Sequence, residues 1–256
     1  MTETITGREE DYLRAIFNLA HEQEIPVAPG ELVARLGVSS AAVSRMTQRL
    51  AQAGLLRRTA YQGVSLTDAG RRHALRVLRF HRLAELFLVR ELGYDWAEVG
   101  ETVDGLEHAM TEELAARLEA RLGYPTSCPH GDPIPAADLT LAPVRERPLT
   151  TLPVGQRAII NRVTGDRAML GHLKEQRLVP GTSLTLLGRA AVGGLLTVER
   201  ESGGAGERGS GRARERESGG AGERWSGRAV ERESEVLPLS PLVAGAIFVR
   251  RPEEEE

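Results

Sequence analysis

The chain has little cysteine and no long apolar run. Its single cysteine, Cys128, excludes an internal disulfide framework and fits a reducing compartment. No apolar stretch approaches the roughly 18 residues that a membrane helix needs, and the polar N-terminus lacks the apolar core of a signal peptide. We therefore expect a cytoplasmic protein that does not enter a membrane.

The net charge of −3 conceals an uneven distribution. Residues 31–82 hold ten Arg against one Glu and one Asp, whereas residues 83–125 hold three Arg against ten acidic residues. Opposite blocks of this kind are more informative about partners than the total charge is. The length of 256 residues predicts two or three domains.

The basic block has the element order of a winged helix-turn-helix. Apolar residues at helical spacing predict a first helix in REEDYLRAIFNLAHE, a second short helix ends at Gly37, and Ser39 or Ser40 caps a third. A β-hairpin is predicted in LLRRTAYQGVSLT, and Thr67 then caps a long helix. A further helical stretch is predicted from about Asp95 to Leu122.

Short β-rich runs separated by Gly and Pro predict a small barrel near the C-terminus. The fold class is thus α+β and multidomain: a winged helix-turn-helix at residues 1–73, a helical domain at 74–142 and a small β-barrel at 150–251. The barrel is interrupted at about 199–235 by a tandem duplication, ERESGGAGERGSGRAR followed by ERESGGAGERWSGRAV. This segment is too polar to offset its ordering entropy, so we interpret it as a disordered insertion in a hairpin; a charged partner-binding arm is the alternative.

The third helix has the composition of a DNA recognition helix. Small and polar residues at its N-terminal end suit contacts with base edges, and nearby cations suit phosphates. A solvated helix face would look similar, but the element order and the local excess of positive charge favour double-stranded DNA. The candidate DNA-binding residues are Ser39, Ser40, Ala42, Arg45, Gln48, Arg49, Arg57 and Arg58.

In the acidic block, the stretch DGLEHAM concentrates carboxylates beside an imidazole. On one helix, Asp104, Glu107 and His108 would share a face, although three unrelated exposed residues are the simpler interpretation of this stretch alone. Further groups of the same chemistry occur on other predicted helices: Asp11, His81 and Glu85. Their convergence without a cation would be repulsive, so a divalent ion is expected, and an oxygen-rich set with imidazole suits Mn²⁺ or Fe²⁺.

These residues carry a resemblance to a known family. EDYLRAIF, VSSAAVSRMTQRLAQAGLL, LTDAGRRHA, HRLAELFL, DGLEHAM and CPHGDPIP resemble the diphtheria toxin repressor and manganese transport regulator (DtxR/MntR) family of metal-dependent transcription factors. LVPGTSLTLL and AIFV resemble its small SH3-like, FeoA-type domain. The resemblance covers nearly the whole chain except the tandem insertion.

The resemblance implies a homodimer in which metal, bound where the DNA-binding and dimerisation regions meet, fixes the DNA-binding geometry. Carried over by position, the main site is Asp11, Asp104, Glu107 and His108. Iron-responsive members carry Met and Cys at the positions of Asp11 and Asp104, and manganese-responsive members carry carboxylates. The resemblance and the hardness of the ligands therefore both favour Mn²⁺, with Fe²⁺ as the alternative.

A second metal site departs from the family pattern. His81 and Glu85 match it, but Gly100 replaces a histidine and Arg14 replaces a glutamate. A second ion would need Asp104 or Glu107 to bridge, or a ligand from the barrel such as Asp166; otherwise Arg14 places its own cation near the carboxylates. We interpret Cys128 and His130, in CPHG, as part of a turn.

The resulting hypothesis is a cytoplasmic, homodimeric, manganese-responsive repressor of metal-uptake genes, without catalytic residues, that binds a palindromic operator. One rival is a metal-independent winged-helix transcription factor whose acidic face is merely solvated. A second rival is a non-haem metalloenzyme, in which the basic helix would have no role.

Overall fold

The computed structural model describes residues 5–20, 25–201 and 234–252. They form two compact units, Met1–Val144 and Arg145–Glu256. Within these described ranges, no helix has both the length and the apolar character needed to cross a bilayer.

The first unit begins with a winged helix-turn-helix, as predicted. Its order is α1, α2, α3 and an antiparallel hairpin of β1 and β2, with bounds Gly7–Leu19, Pro29–Leu36, Ser40–Gln52, Leu56–Thr59 and Gly63–Leu66. Gly37 ends α2 in the left-handed conformation at φ 64°, and the Ser39 hydroxyl accepts a hydrogen bond from the backbone N–H of Ala42 at the start of α3. Leu13, Ile16 and Leu50 are fully buried in the core between these helices.

The helix α4, Asp68–Leu92, joins two hydrophobic cores. Thr67 caps its first turn by accepting from the N–H of Gly70, as predicted. Leu75 and Leu78 pack in the core of the winged helix, whereas Leu83 and its neighbours pack with the helices that follow. One helix therefore connects the winged helix-turn-helix of the unit to its acidic part.

The helical stretch predicted from about Asp95 to Leu122 is helical, but it is not one continuous helix. Three short helices replace it: α5 at Val99–Val103, α6 at Leu106–Ala109 and α7 at Glu112–Arg121. Gly105, at φ 94°, separates α5 from α6, and Thr111 caps α7 after an extended Met110. Asp104 therefore follows the end of α5 and does not share a helical face with Glu107 and His108.

The second unit is a six-stranded antiparallel sheet with two short helices. In chain order its elements are β3 Arg147–Pro148, a 3-10 turn Leu149–Thr151, β4 Arg157–Val163, α8 Arg167–Glu175, β5 Ser183–Arg189, β6 Leu196–Glu201, β7 Ser234–Leu239, α9 Pro241–Gly245 and β8 Ile247–Arg250. The strand order is β3-β8-β4-β5-β6-β7. Ile160, Leu184 and Val198, from three adjacent strands, are fully buried.

The tandem duplication connects two paired strands. β6 and β7 are antiparallel neighbours whose register runs from Leu196 opposite Leu239 to Glu201 opposite Ser234. The disordered insertion predicted at about 199–235 is wrong at its two ends, because residues 199–201 belong to β6 and residues 234–235 belong to β7. Its remaining residues, 202–233, lie outside the described residues.

Candidate metal centre

Three elements of the first unit bring the predicted ligands together. α1 carries Asp11 and Arg14 one turn apart, α4 carries His81, and the α5–α6 region carries Asp104, Glu107 and His108. The first group is Asp11, Glu107 and His108, whose ligand atoms all lie within 4.8 Å of one another. The second group is His81, Asp104 and Glu107, with ligand atoms within the same distance. The two groups share Glu107, so they form one continuous centre.

Glu107 is the buried middle of this centre. Its side chain is fully buried, and neither carboxylate oxygen makes a hydrogen bond of acceptable geometry. Its neighbours approach as ion-pair partners: Arg14 Nη1 lies 2.9 Å from Oε1 and His81 Nδ1 lies 3.4 Å from Oε2. A buried carboxylate without hydrogen bonds is costly, and a bound cation would offset that cost. This part of the chain therefore fits a metal ion.

The charge state of Glu107 also suits an ion. Burial raises the pKa of its carboxyl group, but interactions with His81 and the charge of Arg14 outweigh burial and leave the pKa below its ordinary value. Because an arginine only donates, the His81 Nδ1 atom 2.5 Å from Arg14 Nη1 is the acceptor of that contact. The side chains of His81 and Arg14 together therefore favour the ionised form of Glu107.

His108 is oriented by a residue that sequence reasoning missed. Its Nδ1 lies 2.7 Å from Oε2 of the buried Glu10, and its Nε2 lies 3.2 Å from Oδ1 of Asp11. A carboxylate on one ring nitrogen of a ligating histidine generally fixes the orientation of the ring and the tautomer. The available signal was the position of Glu10 directly before Asp11, but nothing in the sequence showed that it reaches His108.

The centre also depends on close approach of α1 to the His108 ring. A Cβ atom placed on Gly7 would lie 2.9 Å from Cδ2 and Cγ of that ring. Glycine at this position therefore allows α1 to pass directly over the imidazole.

The predicted four-residue main site is only partly brought together. Asp11, Glu107 and His108 form the first group, but Asp104 groups with His81 and Glu107 instead. The Asp104 side chain is 65% exposed, and its Oδ1 lies 3.3 Å from Nη2 of Arg14. The turn at Gly105 lies between Asp104 and Glu107, so these two side chains do not share one helical face.

The spacing of His81 and Glu85 predicts a ligand pair, but the structure places Glu85 in a different group from His81. Its buried side chain forms a third group with Cys128 and His130, in which His130 Nδ1 lies 3.1 Å from Glu85 Oε1. Asp166, the ligand considered from the barrel, caps α8 by accepting from the N–H of Met169.

The third group was interpreted from sequence as a turn. The turn exists, with the N–H of Gly131 donating to the carbonyl of Cys128, but the side chains of Cys128 and His130 also face Glu85. Burial lowers the pKa of His130, but the hydrogen bond and charge of Glu85 outweigh it and the pKa is raised. Burial, followed by the charges of Glu85 and Asp132, raises the pKa of Cys128 well above its ordinary value.

The centre formed by the first and second groups differs from the third group in the softness of its ligands. The first and second groups offer carboxylates and imidazoles, which suit a hard ion such as Mn²⁺. The third group adds a thiol, and a thiolate with imidazole and carboxylate suits softer ions such as Zn²⁺. An ion at the third group would have to displace the Cys128 proton, so its binding would release a proton.

The candidate DNA-binding residues lie on α3 and the hairpin. All are exposed except Ala42, which is half-buried: Ser39, Ser40, Arg45, Gln48, Arg49, Arg57 and Arg58. Two of them also have roles within the fold, since Ser39 caps α3 and Arg49 Nε lies 2.9 Å from Oε1 of the buried Glu9 on α1. Tyr61, at the tip of the hairpin, is fully exposed.

Three family models match the chain in succession. The iron-dependent repressor N-terminal DNA-binding domain matches residues 4–64, and the iron-dependent repressor metal-binding and dimerisation domain matches residues 67–136. The FeoA domain matches residues 147–205. The resemblance inferred from the motifs is thereby confirmed for all three parts of the chain.

Individual relatives of the chain belong to the same repressor family as the matched models. The iron-dependent repressor IdeR of Mycobacterium bovis is 40% identical over 126 residues, which are 49% of this chain and 54% of that protein. The diphtheria toxin repressor of Corynebacterium efficiens is 36% identical over 54% of this chain and 60% of its own length. The chain thus spans little more than half the length of these curated relatives.

A solved structure matches over a longer range. A manganese-dependent transcriptional repressor in complex with manganese superposes with a TM-score of 0.78 and 32% identity, covering 95% of this chain and 99% of that one. The match includes both compact units.

Proposed function

We propose that this protein is a manganese-responsive repressor of metal-uptake genes. The chain belongs to the iron-dependent repressor family, whose members are metal-dependent DNA-binding transcriptional repressors and not enzymes. It acts in the cytoplasm as a homodimer on a palindromic operator. The observation that carries the proposal is the meeting of Asp11 on α1 with Glu107 and His108 on α6, with all ligand atoms within 4.8 Å.

The proposed metal-dependent switch depends on the two helices, α1 and α6, that carry the ligands. α1 packs against α2 and α3 in the winged-helix core, whereas α6 belongs to the acidic part of the unit beyond the middle of α4. When bound, the ion supplies positive charge that ties the carboxylate of Asp11 to the Glu107 and His108 side chains. Glu10 holds the His108 ring in place from its other nitrogen. Fixing α1 in this way selects one position of α3, and a ligand that prefers that position shifts the population towards it.

Manganese is favoured by the absence of sulfur from this centre. The described ligands of the first and second groups are carboxylate oxygens and imidazole nitrogens. Such a set is hard, and it suits Mn²⁺ better than ions that prefer thiolates. Both metals occur in the names of relatives, iron in IdeR and manganese in the matched solved structure. The choice of Mn²⁺ over Fe²⁺ therefore rests on Asp11 and Asp104, which stand where iron-responsive members of the family carry Met and Cys.

The test is binding of the purified protein to the DNA upstream of its own gene, scanned across Mn²⁺, Fe²⁺ and Zn²⁺. We expect Mn²⁺ to promote binding in wild type and to have little effect in His108→Ala, with Arg117→Ala as a control because Arg117 is exposed on α7. Equal binding with and without every metal would favour the metal-independent rival.

A further inference from the structure

We propose that Arg14 acts as a built-in cation that occupies the second half of the metal centre, so that the centre takes one divalent ion and not two. The inference rests on the proposed function only in requiring that the centre binds Mn²⁺. It concerns how many ions bind there and which residue sets that number.

Arg14 contacts every member of the second group. Its Nη1 lies 2.5 Å from Nδ1 of His81 and 2.9 Å from Oε1 of Glu107, and its Nη2 lies 3.3 Å from Oδ1 of Asp104. Its side chain is only 18% exposed. The guanidinium therefore lies where an ion bound to these three residues would lie.

The contact with His81 is the most restrictive of the three. A guanidinium has only N–H donors, so the Nδ1 atom that it meets must present its lone pair. Nδ1 is also the ring nitrogen that faces Glu107, 3.4 Å from its Oε2, so an ion shared by these two residues would use the same lone pair. An ion on Nδ1 and the guanidinium at its present position are mutually exclusive.

The first group keeps its own ligands. Arg14 Nη2 is 3.7 Å from Asp11 Oδ1, longer than its contacts with the second group. His108 is held instead by Glu10 and Asp11. One ion at Asp11, Glu107 and His108 is thus compatible with the position of Arg14.

The balance of charges in the centre also indicates a single divalent ion. The centre has three carboxylates, Asp11, Asp104 and Glu107. One guanidinium and one divalent ion neutralise three negative charges, because Glu10 is already matched by Arg76, 3.3 Å away. Two divalent ions together with Arg14 would leave a net positive charge of two in a partly buried site, which is unfavourable.

The test compares Mn²⁺ binding to wild type and to Arg14→Glu. Glutamate one turn after Asp11 removes the guanidinium and adds a carboxylate on the same face of α1. We expect one additional Mn²⁺ per chain in Arg14→Glu, counted by native mass spectrometry. Ions at Glu85, Cys128 and His130 contribute equally to both proteins and cancel in the comparison.

Electron paramagnetic resonance provides the second measurement. Two Mn²⁺ ions that share the Glu107 carboxylate would be magnetically coupled, so a coupled signal is expected in Arg14→Glu and only uncoupled ions in wild type. Arg117→Glu is the matched control, because it makes the same charge change at a side chain that is 75% exposed and pairs with Glu113. It should gain no ion.

Three outcomes overturn the inference. A coupled pair in wild type would contradict it even if Arg14→Glu failed to fold, and so would an unchanged count in a folded Arg14→Glu. Wild type that binds no Mn²⁺ at this centre would overturn the proposed function as well. The first two outcomes would leave the proposed function intact, so failure of the inference can be distinguished from failure of the proposed function.

Discussion

At the scale of single residues, the sequence predicted which side chains converge but not how they are grouped. Asp11, His81, Glu107 and His108 were predicted to converge, and the structure brings them into one continuous centre. Glu10 and Gly7 were not predicted, because their roles depend on how closely α1 approaches His108. Such distances are set by tertiary packing and leave no pattern in the chain.

Gly7→Ala is expected to weaken Mn²⁺ binding without unfolding the protein. The added Cβ would lie 2.9 Å from the His108 ring, so either α1 or the imidazole must shift. We expect the dissociation constant for Mn²⁺, measured by calorimetry, to rise about tenfold or more, since loss of ligand orientation typically costs a factor of about 10–100.

Gly30→Ala provides the matched control for that variant. Gly30 lies in the first turn of α2, and a Cβ there would meet nothing within 4 Å. It should leave Mn²⁺ affinity unchanged. If Gly7→Ala behaved in the same way, the close packing of α1 on His108 would not matter for the site.

At the scale of elements, local signals predicted the boundaries that depend on capping. Gly37, Ser39 and Thr67 end or begin their helices as expected, because each satisfies backbone groups locally. The prediction did not include the breaks between Asp95 and Leu122, where apolar spacing continued through Gly105. A glycine inside a helical pattern is compatible with helix or with a break, and here packing against α4 selects the break.

The packing of α7 on α4 depends on a buried ion pair. Arg79 on α4, only 2% exposed, donates 3.0 and 2.8 Å hydrogen bonds to Glu119 on α7 and a 2.8 Å bond to the carbonyl of Pro135. Glu119→Ala should lower the free energy of unfolding by about 3 kcal/mol, because it leaves a buried guanidinium without its carboxylate. Chemical denaturation measures this directly.

Glu113→Ala is the control on the same helix. Glu113 is 74% exposed and pairs with Arg117, so its loss should cost under about 1 kcal/mol.

The Arg79 hydrogen bond also holds the pKa of Glu119 below its ordinary value. The stability that this pair provides is complete at neutral pH and is lost as the pH falls below the ordinary carboxyl range towards the lowered pKa. A difference between wild type and Glu119→Gln that persisted in acid would contradict this assignment.

At the scale of the whole molecule, the predicted parts of the chain correspond to known domains in the predicted order. The repressor DNA-binding, metal-binding and FeoA matches follow one another along the chain. The third group was missed at this scale, because Glu85 and the CPHG motif lie far apart in sequence and only the fold brings them together. Spacing within one helix could not predict it.

The tandem duplication offers a test of how the second unit is built. Glu201 and Ser234 are opposite each other at the end of the β6–β7 pairing, so an Asn-Gly turn in place of residues 202–233 would complete a two-residue hairpin. Shortening the connection reduces the entropy cost of closing it, and we expect stabilisation by about 2 kcal/mol. A loss of stability in denaturation experiments would show that the segment contributes packing.

The most direct test of metal-controlled DNA binding is operator affinity with and without Mn²⁺, measured by fluorescence anisotropy for wild type and Asp11→Asn. Asp11 is the proposed ligand on α1, and the substitution removes its charge while preserving its shape. We expect Mn²⁺ to tighten wild-type binding by about tenfold or more, within the usual range of coupling between sites, and to have little effect on Asp11→Asn. Equal affinity of the wild type with and without Mn²⁺, or the same response in both proteins, would contradict control of DNA binding through α1.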